Sequence, residues 1–188
     1  MENEEETNKN LKKIIIIEES KKTTMKKINC EKEKKMRVET KTWGLNEEEL
    51  SHELQLSILK SIYNNTIEKN TYISKIITHV KTKISSYRQQ DILKKKLDEI
   101  LLVDFEEVIK LLNDCEMKCC YCSQNVFILY EKVREMKQWS LDRINNDIGH
   151  NKGNLVIACL ECNLKRRRTN KDAFMFTKNM IIVREGIN

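Results

Sequence analysis

The sequence predicts an α+β protein in which a helical N-terminal region leads into a small strand, loop, strand and helix module. Three observations predict it. Aliphatic residues recur at i+3 and i+4 spacing between about residues 46 and 113, the period of an amphipathic helix. From about residue 116 the pattern changes to short β-branched and aromatic runs separated by turn formers. Those runs are bracketed by two C-x-x-C pairs, Cys119 with Cys122 and Cys159 with Cys162, with 36 residues between the pairs.

Residues 1–42 are dominated by Lys and Glu and hold one aliphatic patch, Ile14 to Ile17. Lacking a periodic apolar face to offset the entropy of ordering, they are expected to form a disordered charged arm. Asn46 with Glu49 has the form of a capping box, and Leu50, Leu54, Ile58 and Ile62 follow it, so a helix is expected over 46–63. Ile73, Ile76, Ile77, Val80 and Ile84 predict a second helix, Ser85 to Gln90 its end, and Ile92, Leu93 and Leu97 a third, shorter one. Asp104 with Glu107 repeats the capping pattern ahead of Phe105, Val108, Ile109, Leu111 and Leu112. The helical accessory region is thus 43–115 and the cysteine-bearing module 116–188.

Within the module, Val126 to Tyr130, Trp139 to Ile144 and Leu155 to Ala158 are strand-prone, and 145–153 is rich in turn formers. Leu160 to Arg168 are helix formers, and Phe174 and Phe176, with Met175 and Met180, are expected to cap the core.

Charge separates the two regions as clearly as periodicity does. Residues 117–188 carry 13 Lys and Arg against 7 Asp and Glu, so the whole net charge of +6 resides there and residues 1–116 sum to zero. A basic excess confined to one module is the electrostatic footprint of a nucleic-acid partner. Seven cysteines, an odd number, argue against a disulfide framework. The aliphatic run Ile14 to Ile17, four residues flanked by charges, is too short for a signal sequence or a membrane span. A soluble intracellular protein with no membrane partner is expected, its compartment and oligomeric state left open.

Two residues between thiolates allow one tight turn to aim both sulfurs at a single ion, and two such turns complete a tetrahedral S4 zinc site. Cys119 is preferred to Cys120 because it stands three positions before Cys122; Cys120, Cys115 and Cys30 are left over. Between and beyond the pairs lie Leu141-Asp142-Arg143-Ile144, His150, Gly153-Asn154-Leu155-Val156 and Cys159-Leu160-Glu161-Cys162-Asn163. In this order of motifs the chain resembles, over about 116–178, the four-cysteine branch of the HNH (His-Me finger) endonucleases, a group of phage and large-DNA-virus proteins that includes phage resolvase endonuclease VII.

The resemblance implies a zinc-bound ββα module whose zinc is architectural. It further implies a catalytic Mg2+ or Mn2+ held by Asp142 and Asn163, and a loop braced by Asn154. The family places its general base, a histidine, immediately after the Asp. Here that position is Arg143, whose guanidinium does not give up a proton at neutral pH. Arg143 is then expected to clamp the scissile phosphate, and His150, the only histidine of the module, is the candidate for water activation. Lys165, Arg166, Arg167 and Arg168, on the helix leaving the zinc site, are candidates for contacting phosphates. Two functions follow: a metal-dependent endonuclease acting on DNA, branched or single-stranded DNA included, or a catalytically degenerate module that binds nucleic acid without cutting it.

Overall fold

The start of the first helix is decided by competition between two caps. In the computed structural model, which describes residues 43–66 and 70–180, Asn46 and Glu49 do exchange the reciprocal capping-box bonds, both at 2.8 Å. Yet residues 47–50 close only as a turn, because the carbonyls that a helix would need are captured by side chains. Tyr72 donates its hydroxyl to the Glu49 carbonyl, and Gln55 donates to that of Leu50. Helix α1 (His52–Tyr63) therefore begins after Ser51, whose hydroxyl accepts the Leu54 N–H. The charged arm at 1–42, with Cys30, lies outside the described residues.

Helix α2 (Thr71–Leu93) is capped by Asn70 and is longer than the aliphatic stripe alone predicts. It runs straight through Ser85 to Gln90 and absorbs Ile92 and Leu93, so the separate third helix is not formed. The stripe continues in polar form: Val80, Ile84, Tyr87 and Asp91 keep the helical register, and Asp91 is wholly buried. The helix ends where Lys95 turns into the left-handed region, at φ +55°. Leu93, beyond the last inward position, is 82% exposed. Helix α3 (Phe105–Asp114) starts at Asp104, whose carboxylate accepts the Glu107 N–H at 2.9 Å, and buries Val108, Ile109 and Leu112.

The segment 126–130 is buried as its composition predicts, but it is not a strand. Val126, Ile128 and Leu129 are fully buried, while the backbone N–H groups of Ile128 and Leu129 are taken by the Gln55 side-chain oxygen, at 2.8 and 3.0 Å. One buried glutamine thus stands in for a strand partner and satisfies the segment locally. The sheet has two strands, β1 (Trp139–Arg143) and β2 (Leu155–Cys159), antiparallel, with Trp139 opposite Cys159 and Arg143 opposite Leu155. Helix α4 (Leu160–Arg166) follows β2 directly and stops at Arg167, at φ +53°. Helix α5 (Lys171–Asn179) is capped by Asn170. Of the aromatic pair expected on the core, Phe174 is buried with its ring edge-on to Tyr121, whereas Phe176 is 67% and Met180 47% exposed.

The architecture is therefore α+β, a set of helices and a small two-stranded sheet. The accessory helices and the cysteine-bearing module share one buried apolar cluster, so residue 115 marks a change of composition within a common core. Tyr87 in α2 accepts the Leu141 N–H of β1, which ties that helix to the sheet directly. Among the described residues no helix is long and apolar enough to cross a membrane.

Candidate metal centre and the polar cluster beside it

The two cysteine turns meet at the end of the hairpin. Cys119 to Cys122 form one turn; Cys159 ends β2 and caps α4, so that Cys162 returns to the same point one helical turn later. The sulfurs of Cys119, Cys122, Cys159 and Cys162 all lie within 4.8 Å of one another, and those of Cys122 and Cys159 are 3.9 Å apart. Tetrahedral ligands at about 2.3 Å from zinc stand about 3.8 Å from each other, so the cluster has the dimensions of an S4 site. Backbone N–H groups of Tyr121 and Cys162 point at the Cys119 and Cys159 sulfurs, each at 3.4 Å, as donors to thiolates do.

The electrostatics of the cluster call for a cation. The closeness of the Cys159 sulfur draws the Cys119 thiol down, and the same closeness, with burial, pushes Cys159 up. Burial and the neighbouring sulfurs raise Cys162 to about 11. One thiolate forms readily and opposes the next, a conflict that a divalent ion removes. The four cysteines can hold a metal such as zinc. Cys120 is outside the cluster, its thiol pushed up to about 12 by burial and the Cys119 charge; Cys115 is also outside.

The remaining candidates lie on the hairpin and its loop, and almost all have internal partners. Asp142, near the end of β1 and 5% exposed, accepts from Arg166 on one oxygen and from the Tyr121 hydroxyl on the other, both at 2.7 Å. Arg166 is fully buried. Its guanidinium is ringed by oxygens: Asp142, the carbonyls of Arg143 and Ile144 at 2.6 and 2.9 Å, and the Thr169 carbonyl at 2.9 Å. This corrects its assignment to a phosphate-contacting surface. Lys165, Arg167 and Arg168 are exposed, and Lys165 is paired with Glu161.

Arg143 also points inward, donating to the Ile148 carbonyl at 3.2 Å and lying 3.9 Å from Asp91. Asp91 accepts both the backbone N–H of His150, at 2.6 Å, and its ring Nδ1, at 2.9 Å, while the Tyr87 ring lies 4.5 Å from the imidazole. Burial lowers the His150 pKa, with the Asp91 charge acting against it. The turn that presents His150 needs glycine, since a Cβ on Gly149 would meet the Lys96 carbonyl at 2.5 Å and the Asp91 carboxylate at 2.8 Å. Asn154 holds both sides of the loop, accepting from the Asn145 N–H at 2.8 Å and donating to the Asn145 and Gly149 carbonyls at 3.0 and 3.1 Å. Asn163 donates to Ser140 and to the Leu141 carbonyl, which places its amide beside the strand that carries Asp142.

Compared with known proteins, the chain matches no family model, no curated protein and no solved structure.

Three residues of this cluster were not legible as site residues. Asp91, Tyr121 and Tyr87 each sit among other recognisable features, and only Asp91 leaves a trace: it falls on the apolar stripe of α2, where a carboxylate requires a buried partner.

Proposed function

We propose that the chain is a metal-clasped, HNH-like module that binds nucleic acid and no longer cleaves it. The observation that carries this reading is the capture of Asp142 by Arg166 and Tyr121. Phosphodiester hydrolysis by such a module requires a divalent ion that meets the substrate and a base that activates water. The carboxylate that would hold the ion already has a cation against it, and the position of the base is an arginine facing the protein interior. The strand, loop, strand, helix order with cysteine turns at one end supports the HNH-like frame. The basic excess of 117–188, with Arg167 and Arg168 exposed, supports a polyanionic partner, DNA in the first instance.

The metal-dependent endonuclease is the second reading, and Asn163 favours it. Its amide nitrogen has partners, while its side-chain oxygen has none among the described residues and follows the last cysteine directly. Incubating the full chain with supercoiled, branched and single-stranded DNA, with Mg2+ or Mn2+, separates the two. Salt-sensitive binding without nicking is expected, both for wild type and for Arg143→His. Nicking that depends on the added metal and disappears in Asn163→Ala would establish the second reading instead.

A further inference from the structure

The four consecutive cations after the second cysteine pair do not act as one surface. Lys165 and Arg167 border a shallow depression with Met136, Glu161 and Leu164. Arg168 belongs to another cavity, of about 510 Å³, lined by Lys96, Asn145, Asn146 and Asn170 and floored by Arg166 and Ile144. It is built from three separate stretches of chain: the connector after α2, the start of the hairpin loop, and the turn between α4 and α5.

The chemistry of this cavity is lopsided. Asn145 uses its side-chain oxygen on the Asp147 N–H, at 2.8 Å, and Asn170 uses its own to cap α5 through Asp172 and Ala173. Both amides therefore keep only their NH2 groups for a ligand. Lys96, anchored to the Asn146 carbonyl, and exposed Arg168 add two cations. A pocket of nucleotide size whose unengaged groups are mostly donors selects a ligand made of acceptors. Asp147 on its rim is the one opposing charge, and it sets a limit on affinity.

We infer that this cavity is a phosphodiester-binding site, holding one backbone phosphate of a nucleic-acid strand between Lys96 and Arg168, with the Asn145 and Asn170 amides donating to its oxygens. This rests on the nucleic-acid reading above and deepens it, since it assigns the contact to one place and gives the accessory region a direct part in it through Lys96.

The test uses the full, zinc-loaded chain and a fluorescent DNA duplex, titrated at several salt concentrations. Lys96→Gln with Arg168→Gln should weaken binding on the order of tenfold or more and reduce the log–log salt slope by about 1. Lys165→Gln with Arg167→Gln should change it far less. Asp147→Asn should tighten binding, an outcome that a folding defect does not mimic. If the two lysine–arginine pairs lose affinity equally, or Asp147→Asn has no effect, the cavity is not the site, although the module still binds nucleic acid. If wild type binds no nucleic acid, the broader reading fails, and NMR titration with dimethyl phosphate decides the pocket by itself. Shifts of the Asn145 and Asn170 side-chain amides then keep a phosphate site, and their silence removes it.

Discussion

Two clusters of acidic groups lie on the same hairpin, joined by Tyr121, and they obtain positive charge in opposite ways. At one end four thiols crowd within 4.8 Å of one another, and a bound metal such as zinc could supply the positive charge they lack. Near the end of β1, Asp142 meets the buried guanidinium of Arg166, and four oxygens from different stretches of chain converge on that one side chain. An all-oxygen surround is what a hard divalent ion takes; here a covalently attached cation fills it. A metal at the first cluster would tie the fold to the metal supply, whereas the second carries its own cation.

The largest effect expected follows from the sulfur end. Structural zinc contributes about 10–16 kcal/mol of apparent binding free energy in small peptides at neutral pH, more than the net stability of most domains. Cys162→Ser, or removal of metal by a strong chelator, should abolish the cooperative thermal transition. Because the cysteine module and helices α1 to α3 share one core, the helical circular-dichroism signal should fall with it. Retention of a wild-type melting curve in the metal-free protein would remove half of the contrast.

The internal cation predicts a smaller but selective effect. Arg166→Ala leaves Asp142 and three carbonyls around an empty space, and breaking a buried pair in this way costs about 3–5 kcal/mol. Guanidinium at millimolar concentration, or Mg2+, should restore part of the lost melting temperature in this variant. Neither should do so in wild type, nor in Arg166→Ala combined with Asp142→Asn. Absence of rescue together with a loss below about 1 kcal/mol would mean that the oxygens find other partners and that the guanidinium is not a substitute cation.

What the sequence made legible follows from how local each signal is. The cysteine turns and α4 depend on contacts within a few residues, β1 and β2 on a hairpin between strand-prone runs flanking a turn-rich loop, and all appear close to where pattern and spacing put them. Several misreadings share one cause, a polar side chain that takes up backbone or side-chain groups outside its own local pattern. Gln55 reaches residues 128 and 129 and replaces a strand, and Tyr72 with Gln55 takes the carbonyls that would have extended α1. Asp91 prolongs α2 because its carboxylate is needed by His150. Arg166 is the sharpest case. Its neighbours Lys165 and Arg167 are exposed, and nothing in a run of four cations says which one turns inward. That depends on the helix phase relative to β1, which only the fold supplies.

His79 offers a third way of handling buried charge, and with it the smallest effect. It lies edge-on to the rings of Trp43 and Tyr130, at 5.4 Å from each, and its Nε2 is buried without a hydrogen-bond partner among the described residues. Burial, and secondarily the Lys83 charge, lower its pKa from 6.5 to about 4, which favours the neutral imidazole. The sign is fixed by linkage, since the unfolded chain takes up the proton first as pH falls. His79 therefore contributes stability that is fully present above pH 6.5 and is lost progressively as pH falls toward 4, by roughly 3 kcal/mol in all. Acid also releases metal from the thiolates, so the effect has to be read as a difference between variants at saturating zinc. His79→Phe, which keeps the ring and removes the titration, should match wild type near pH 7.5 within the cost of repacking and exceed it increasingly below pH 6. Parallel stability curves for the two proteins between pH 7.5 and 4.5 would show that the imidazole is charged or solvated in the folded state. In that case the hydrogen-bond orphan at Nε2 would have a partner after all.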